Sequence, residues 1–272
     1  MLTFSLSPKE MIASCWRNRY LIRKSVQREV VGRYRGSFLG ILWSFFHPLF
    51  MLAVYTFVFS VVFKARWQTT GDSKTEFALI LFSGLMVFNL FADCVNRAPG
   101  LILAHASYVK KVVFPLEILP LVTIGGALFH LAISFSVWLL AYLVFFGMPH
   151  ATIVLLPVVL LPLLLFTAGL SWGLASLGVY LRDVGQVINI MTTALLFLSP
   201  IFYSANSIPE RFRAIMHCNP LTPIIEQTRG LLFWNQPPDP VVMAACYLVS
   251  VVVACLGFAW FQKTRKGFAD VL

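Results

Sequence analysis

The apolar positions of this chain come in long uninterrupted blocks rather than in alternation. Residues 37–63 (SFLGILWSFFHPLFMLAVYTFVFSVVF) carry no Lys, Arg, Asp or Glu, and His47 is their one ionisable group apart from Tyr55. At about 1.5 Å of rise per residue, such a block exceeds the roughly 30 Å of a bilayer's hydrocarbon. Further blocks occupy 76–95, with Glu76 and Asp93 near its ends, then 112–146, 152–180, 187–203 and 240–261. The pattern predicts six spanning helices, the third long enough to tilt or protrude and the fifth short. Pro157 and Pro162 fall inside the fourth block and are expected to bend it, with neighbouring helices satisfying the freed carbonyls. The expected fold class is an all-α integral membrane protein.

Two stretches do not fit the spanning pattern. Residues 8–35 predict one interfacial helix: Ser7 can cap it, Pro8 suits its first turn, and Glu10 completes a capping box with Ser7. Ile12, Cys15, Trp16, Ile22, Val26 and Val30 recur at helical spacing between basic flanks, which suits a helix lying on a membrane. It serves as a positive-inside anchor or also meets a cytoplasmic partner; the residues leave both open. Residues 204–239 are too polar to span, yet rich in Pro, aromatic and aliphatic residues. Short amphipathic or re-entrant helices packed on protein are expected there. The domain organisation is therefore an N-terminal tail with interfacial helix (1–36), a six-helix membrane domain (37–261) and a tail (262–272).

Composition agrees. The chain is 59% hydrophobic and 12% charged, with a mean hydropathy of +0.82. A soluble domain is about a quarter charged, so this one cannot coat a globule with polar surface. The net charge of +10 does not point to nucleic acid, because the basic residues cluster at the ends of apolar blocks. Of the Lys and Arg residues, fifteen fall on the side of the termini and six on the other. That bias places both termini in the cytoplasm, as an even number of spans requires. The cysteines, Cys15, Cys94, Cys218, Cys246 and Cys255, have no metal-ligand spacing and read as small packing residues. Residues 1–36 lack the apolar core and cleavage site of a signal peptide.

Chemistry-bearing motifs are missing from the sequence. It contains no G-x-x-x-x-G-K-[S/T] phosphate loop, no HExxH, no GxSxG and no Cys/His ligand cluster. The chain is expected not to hydrolyse ATP, not to be an enzyme, and to need no metal or cofactor of its own. Intramembrane ionisable groups are the usual functional candidates. Here they are Glu117, His47 and His130, with Asp93 near a span end. Glu117 lies at the membrane interface, where it could snorkel or meet Arg97 or Lys111. His47 precedes Pro48 and could satisfy a freed carbonyl. His130 sits among Gly125, Gly126 and Ser134, a helix-packing context.

Four stretches carry a family resemblance: EVVGRYRGSFLGILWSFFHP at 29–48, VKKVVFPLEILP at 109–120, VYLRDV at 179–184, and SPIFYSANSIPERFRAIMHCNPLTPIIEQTR at 199–229. Together they resemble the permease of ABC-2-type polysaccharide exporters, the group that moves O-antigen, capsule and teichoic acid. The resemblance implies a homodimer above two separate ATP-binding cassette subunits, which would bind the ATP. It implies a coupling segment at about 96–111, including Arg97, Tyr108, Lys110 and Lys111, with a smaller contact at Arg182 and Asp183. It implies gate helices within 204–239 at the periplasmic mouth of the inner membrane. The transported glycan, linked to undecaprenyl pyrophosphate, would pass along a channel lined mainly by the first and fifth spans.

Within that frame, aromatic rings offer a sliding glycan shallow stacking contacts. Tyr55 and Phe59 are four residues apart and share a helix face, so they are the first candidates for the lining. Phe197 and Tyr203 are the candidates in the fifth span. Arg33 and Arg35, where the interfacial helix turns into the first span, are candidates for the lipid pyrophosphate, because guanidinium binds phosphate bidentately. O-antigen is the first expectation for the cargo, with capsule, teichoic acid, or another lipid or drug as the alternatives. A membrane enzyme acting on lipid-linked sugars is disfavoured, because Glu210, Glu226 and Asp239 are dispersed. An ion-coupled carrier is disfavoured because buried charges and internal repeats are lacking.

Overall fold

In a computed structural model of the chain, the described residues are 7–58, 74–111, 114–203, 216 and 219–272. All regular structure among them is helical. Five helical stretches are long and apolar enough to cross a membrane: Gly40–Val58, Thr75–Ala104, Leu116–Phe146, Ala151–Tyr180 and Pro240–Val271. Their main helices are α3 (Trp43–Tyr55), α4 (Lys74–Arg97), α7 (Leu119–Phe146), α8 (Leu156–Tyr180) and α11 (Pro240–Thr264). The expected fifth span is a shorter apolar helix, α9 (Val184–Leu198). It covers only about 22 Å at 1.5 Å per residue. It stops before the expected 203 because Ser199, preceding Pro200, takes an extended conformation (φ −90°, ψ 148°).

α4 is the centre of the bundle. α3, α7, α8, α9 and the short helix α10 (Leu221–Phe233) all pack on it, and its residues from Phe77 to Val95 are almost all buried. The closest helix pair is α8 with α11. The backbone of Val253 and Ala254 occupies the space that a Cβ on Gly169 would need, and the Gly169 carbonyl does the same at Gly257. Lipid tails are as apolar as side chains, so close backbone approach is what drives such pairing in a bilayer. Pro157 lies in the first turn of α8, where its missing N–H costs nothing, so only Pro162 stands inside the helix.

The N-terminal segment forms two helices rather than one, α1 (Pro8–Arg17) and α2 (Arg19–Tyr34). Asn18 separates them; its amide donates to Ser14 O at 2.9 Å and to Ser14 Oγ at 3.2 Å, competing with the helical ladder. Ser7 Oγ accepts from the Lys9 amide at 3.2 Å, while the Glu10 carboxylate pairs with Arg17 at 2.7 Å. The apolar stripe expected over 12–30 is divided. Val30 is buried and Val26 packs over Gly125 of α7, whereas Ile12, Trp16 and Tyr20 point outward. Arg19 stacks on Trp16 at 4.8 Å and Lys24 on Tyr20 at 5.8 Å. That amphipathic aromatic-basic edge suits a membrane interface.

The chain's end is folded rather than trailing. After a tight turn at Arg265–Gly267 comes α12 (Phe268–Val271). Phe268 is fully buried between the rings of Tyr180 and Phe261. The link from α4 to α7 consists of a turn at Ala98–Gly100, then α5 (Leu101–Ala104) and α6 (Ala106–Lys111). α12 packs on α6, and α1 packs on α11. Both ends of the described chain and the 96–111 link therefore lie on one end of the bundle.

Candidate functional site

A cavity of about 560 Å³ lies between α3, α4 and α7. From α3, His47, Met51 and Tyr55 face it at four-residue intervals, behind Trp43. From α4 come Phe82, Met86 and Asn89, and from α7 His130 and Ser134. Asn89 is exposed although its neighbours Phe88 and Leu90 are buried, so its amide looks into this space. It lies eight residues before Arg97 on α4, about 12 Å inside that end at 1.5 Å per residue. An amide at that depth facing lipid would lose its hydrogen bonds, so the cavity suits water or a hydroxyl-bearing ligand. His130 Nδ1 lies 3.3 Å from the Tyr34 hydroxyl, and its buried Nε2 has no hydrogen-bond partner among the described residues. His47 makes no hydrogen bond among the described residues, contrary to the expectation that it repairs the gap left by Pro48; it faces the cavity instead.

Charge is confined to one end of the cavity. Arg33 pairs with Asp93 at 2.9 Å and lies 3.9 Å from Glu29; Arg97 pairs with Glu29 at 2.6 Å and lies 3.8 Å from Asp93. Two acids and two bases thus alternate in a ring that joins α2 to the end of α4. Arg33 reaches the cavity mouth already shared with Asp93. Arg35 is exposed, with no ion pair or hydrogen bond from its guanidinium among the described residues.

The other anticipated residues are distributed as follows. Tyr55 lines the cavity, and Phe59 lies outside the described residues. Phe197 and Tyr203 are placed together at the end of α9: the Tyr203 hydroxyl donates to Phe197 O at 2.8 Å, and Phe197 stacks on Phe202 at 5.8 Å. Neither lines the cavity. Phe197 instead shares the exposed face of α9 with Gln186, Asn189 and Thr193. Sequence reasoning passed over those three, although their spacing of three and four residues marks a single helix face. The Tyr108 hydroxyl accepts from Arg28 Nη2 at 2.9 Å and its ring stacks on Phe114 at 4.5 Å, joining α6 to α2. Arg182 and Asp183 are exposed in the turn between α8 and α9. That turn adjoins Pro99, whose backbone lies where a Cβ on Gly178 would be, so the two expected coupling elements are neighbours. The side chains of Lys110 and Lys111 lie outside the described residues.

Glu117 has a different partner from those anticipated. Arg97 is held by Glu29, and the Glu117 carboxylate pairs with Arg265 at 2.6 Å. The turn Leu116–Ile118 that opens α7 faces the end of α11 rather than that of α4.

At the opposite end the S-P-I and N-P-L-T-P stretches meet. Asn219 Nδ2 donates to Ser199 Oγ at 2.8 Å, and its Oδ1 accepts from the Leu221 amide at 2.9 Å, an Asx turn that leads into α10. Arg229, one of the six basic residues counted on the side away from the termini, is fully buried. It donates to the carbonyls of Pro200, of Ile201 at 2.8 Å and of Ile80 at 3.3 Å, with Glu226 3.3 Å away. Burial lowers the Arg229 guanidinium to about 10 and raises the Glu226 carboxyl. The guanidinium is still charged at neutral pH.

Residues 20–233 match the family model described as "ABC-2 type transporter". The chain is 29% identical over 262 residues to an O-antigen export system permease protein of Myxococcus xanthus, covering 96% of this chain and 98% of that protein. It is 28% identical over 242 residues to an O-antigen export system permease protein of Klebsiella pneumoniae, covering 88% and 90%. It is 24% identical over 246 residues to a polysialic acid transport protein of Escherichia coli, covering 88% and 91%.

Proposed function

Because the chain belongs to the ABC-2 type transporter family, we propose that it is the permease of a polysaccharide exporter, moving a lipid-linked glycan across the bacterial inner membrane. Similarity to permeases named for O-antigen and polysialic acid export supports the substrate class, and the two O-antigen relatives favour O-antigen. The observation that carries the reading is the cavity faced by Asn89, His47, Ser134, Tyr55 and Trp43 inside an otherwise apolar bundle. Amide, imidazole and hydroxyl groups match sugar hydroxyls, and aromatic faces match sugar C–H faces. No carboxylate, Lys or Arg lies among those five residues, so contact with a neutral sugar is weak enough to allow sliding.

The chain acts as a homodimer, with its glycan path lined by Tyr55, Phe59, Phe197 and Tyr203. The polar face of α9 supports this, because Gln186, Asn189 and Thr193 would otherwise meet lipid. Energy comes from two ATP-binding cassette subunits that grip 96–111 and the Arg182–Asp183 turn, since this sequence has no phosphate loop. The basic end is cytoplasmic, in keeping with fifteen basic residues against six. Arg35 and Arg33 receive the undecaprenyl pyrophosphate there, Arg33 by exchanging Asp93 for phosphate.

The test is glycan export in proteoliposomes holding the permease, its ATPase and the lipid-linked glycan. Asn89→Leu and Tyr55→Ala are expected to lower export about tenfold, the loss of one or two such contacts, while ATP hydrolysis persists. Wild-type complex that hydrolyses ATP but leaves the glycan on its original side would overturn the proposal.

A further inference from the structure

Four parts of the chain meet at Glu117. Its carboxylate Oε1 accepts from Ser14 Oγ of α1 at 2.9 Å, and Oε2 accepts from Arg265 Nη1, just past α11, at 2.6 Å. Arg265 Nη2 donates to Phe114 O at 3.0 Å, in the segment that follows α6. The Glu117 carbonyl accepts from Trp172 Nε1 of α8 at 2.8 Å. Glu117 and Ser14 are buried and the Arg265 side chain is 13% exposed, so the junction is largely shielded from solvent. Its partners lie 103 and 148 residues away along the chain.

Such a junction is a poor source of stability. Desolvating two charges offsets most of their attraction, and well-packed apolar residues of the same volume serve as well. What a buried, hydrogen-bonded ion pair does supply is direction: each donor fixes the position of one element against the others. Three further contacts bring α6 into the same assembly: Arg28 with Tyr108, Tyr108 with Phe114, and α12 with α6. We propose that Glu117 is a positioning residue. It clamps α1 and the end of α11 to the segment 114–118, so that all three move as one body with α6 when an ATPase displaces the coupling segment. The need for an ATPase rests on the exporter reading; the clamp rests on its own geometry.

The complex of permease and ATPase tests it in two ways. The first is glycan exported per ATP hydrolysed. Glu117→Ala and Arg265→Gln are expected to lower that ratio about tenfold, within the usual range of coupling between sites. The amount of assembled complex and its ATP turnover should stay within about twofold, and the exchange of Glu117→Arg with Arg265→Glu should restore most of the ratio. An unchanged ratio in both single variants overturns the clamp, as does a loss confined to the amount of complex. The second measurement needs no glycan. With spin labels at the exposed positions Ile12 and Ser107, the distance should be the same with ATP and with ADP in wild type. It should become nucleotide-dependent in Glu117→Ala. A wild-type distance that already varies between the nucleotide states overturns the clamp even where export succeeds. Failure of wild-type export with an intact distance result refutes the substrate reading alone.

Discussion

Arg229 is enclosed by protein and still charged. Three main-chain carbonyls and Glu226 replace its water, and two of those carbonyls belong to the turn that ends α9. Removing the guanidinium leaves those acceptors buried and unpaired, which in other proteins costs about 3–5 kcal/mol. Arg229→Ala should therefore lower the melting temperature of the purified protein in detergent sharply. Arg229→Lys should recover only part of the loss, because one ammonium cannot reach carbonyls spread around a planar fork. Gln in place of Glu226 should matter less, since main-chain carbonyls also hold the guanidinium. A melting temperature unchanged in Arg229→Ala would show that the carbonyls find water, and the clasp would then have no structural role.

Between elements, close backbone approach decides the packing. α8 and α11 meet where Gly169 and Gly257 leave no room for a side chain. Gly169→Val would push its branches against the Val253 carbonyl, and main chain gives way less readily than a side chain. A loss of about 3 kcal/mol or more is expected, at the upper end of overpacking costs. It would be read as a smaller yield of monodisperse protein and a lower melting temperature. The division of 8–35 into α1 and α2 belongs to the same scale. Periodicity alone favours one continuous helix, yet the Asn18 side chain offers Ser14 a competing partner and turns the exposed Trp16 edge away from the buried Val30 face.

On the scale of the whole molecule, one end of the bundle gathers both ends of the described chain, the 96–111 link and the turn at 181–183. Grouping of that kind is what a partner pressing on a single face needs. If this end is cytoplasmic and carries the ATPase, a cysteine at Ser107 should crosslink to that subunit in a permease freed of its native cysteines. A membrane-impermeant thiol reagent added to intact cells should leave the same cysteine unlabelled. Labelling from outside would invert the proposed topology and with it the assignment of 96–111.

The all-helical class and five helices long and apolar enough to cross a membrane were legible in the residues. Each depends on local composition measured against a fixed length, the thickness of a bilayer. The family was legible too, through four short stretches that all fall within the matched residues 20–233. Partner choice was not legible. Glu117 pairs with Arg265 rather than Arg97 or Lys111, Arg229 is a buried clasp that the sequence did not single out, and His47 faces a cavity rather than its own backbone. Nor did the sequence reveal that Asn89 and Tyr55, on different helices, face one cavity. Hydrophobic pattern reports how deep a residue lies along the membrane normal. Which neighbour it meets depends on helix rotation and spacing within the bilayer plane, which are set only when all the helices pack together.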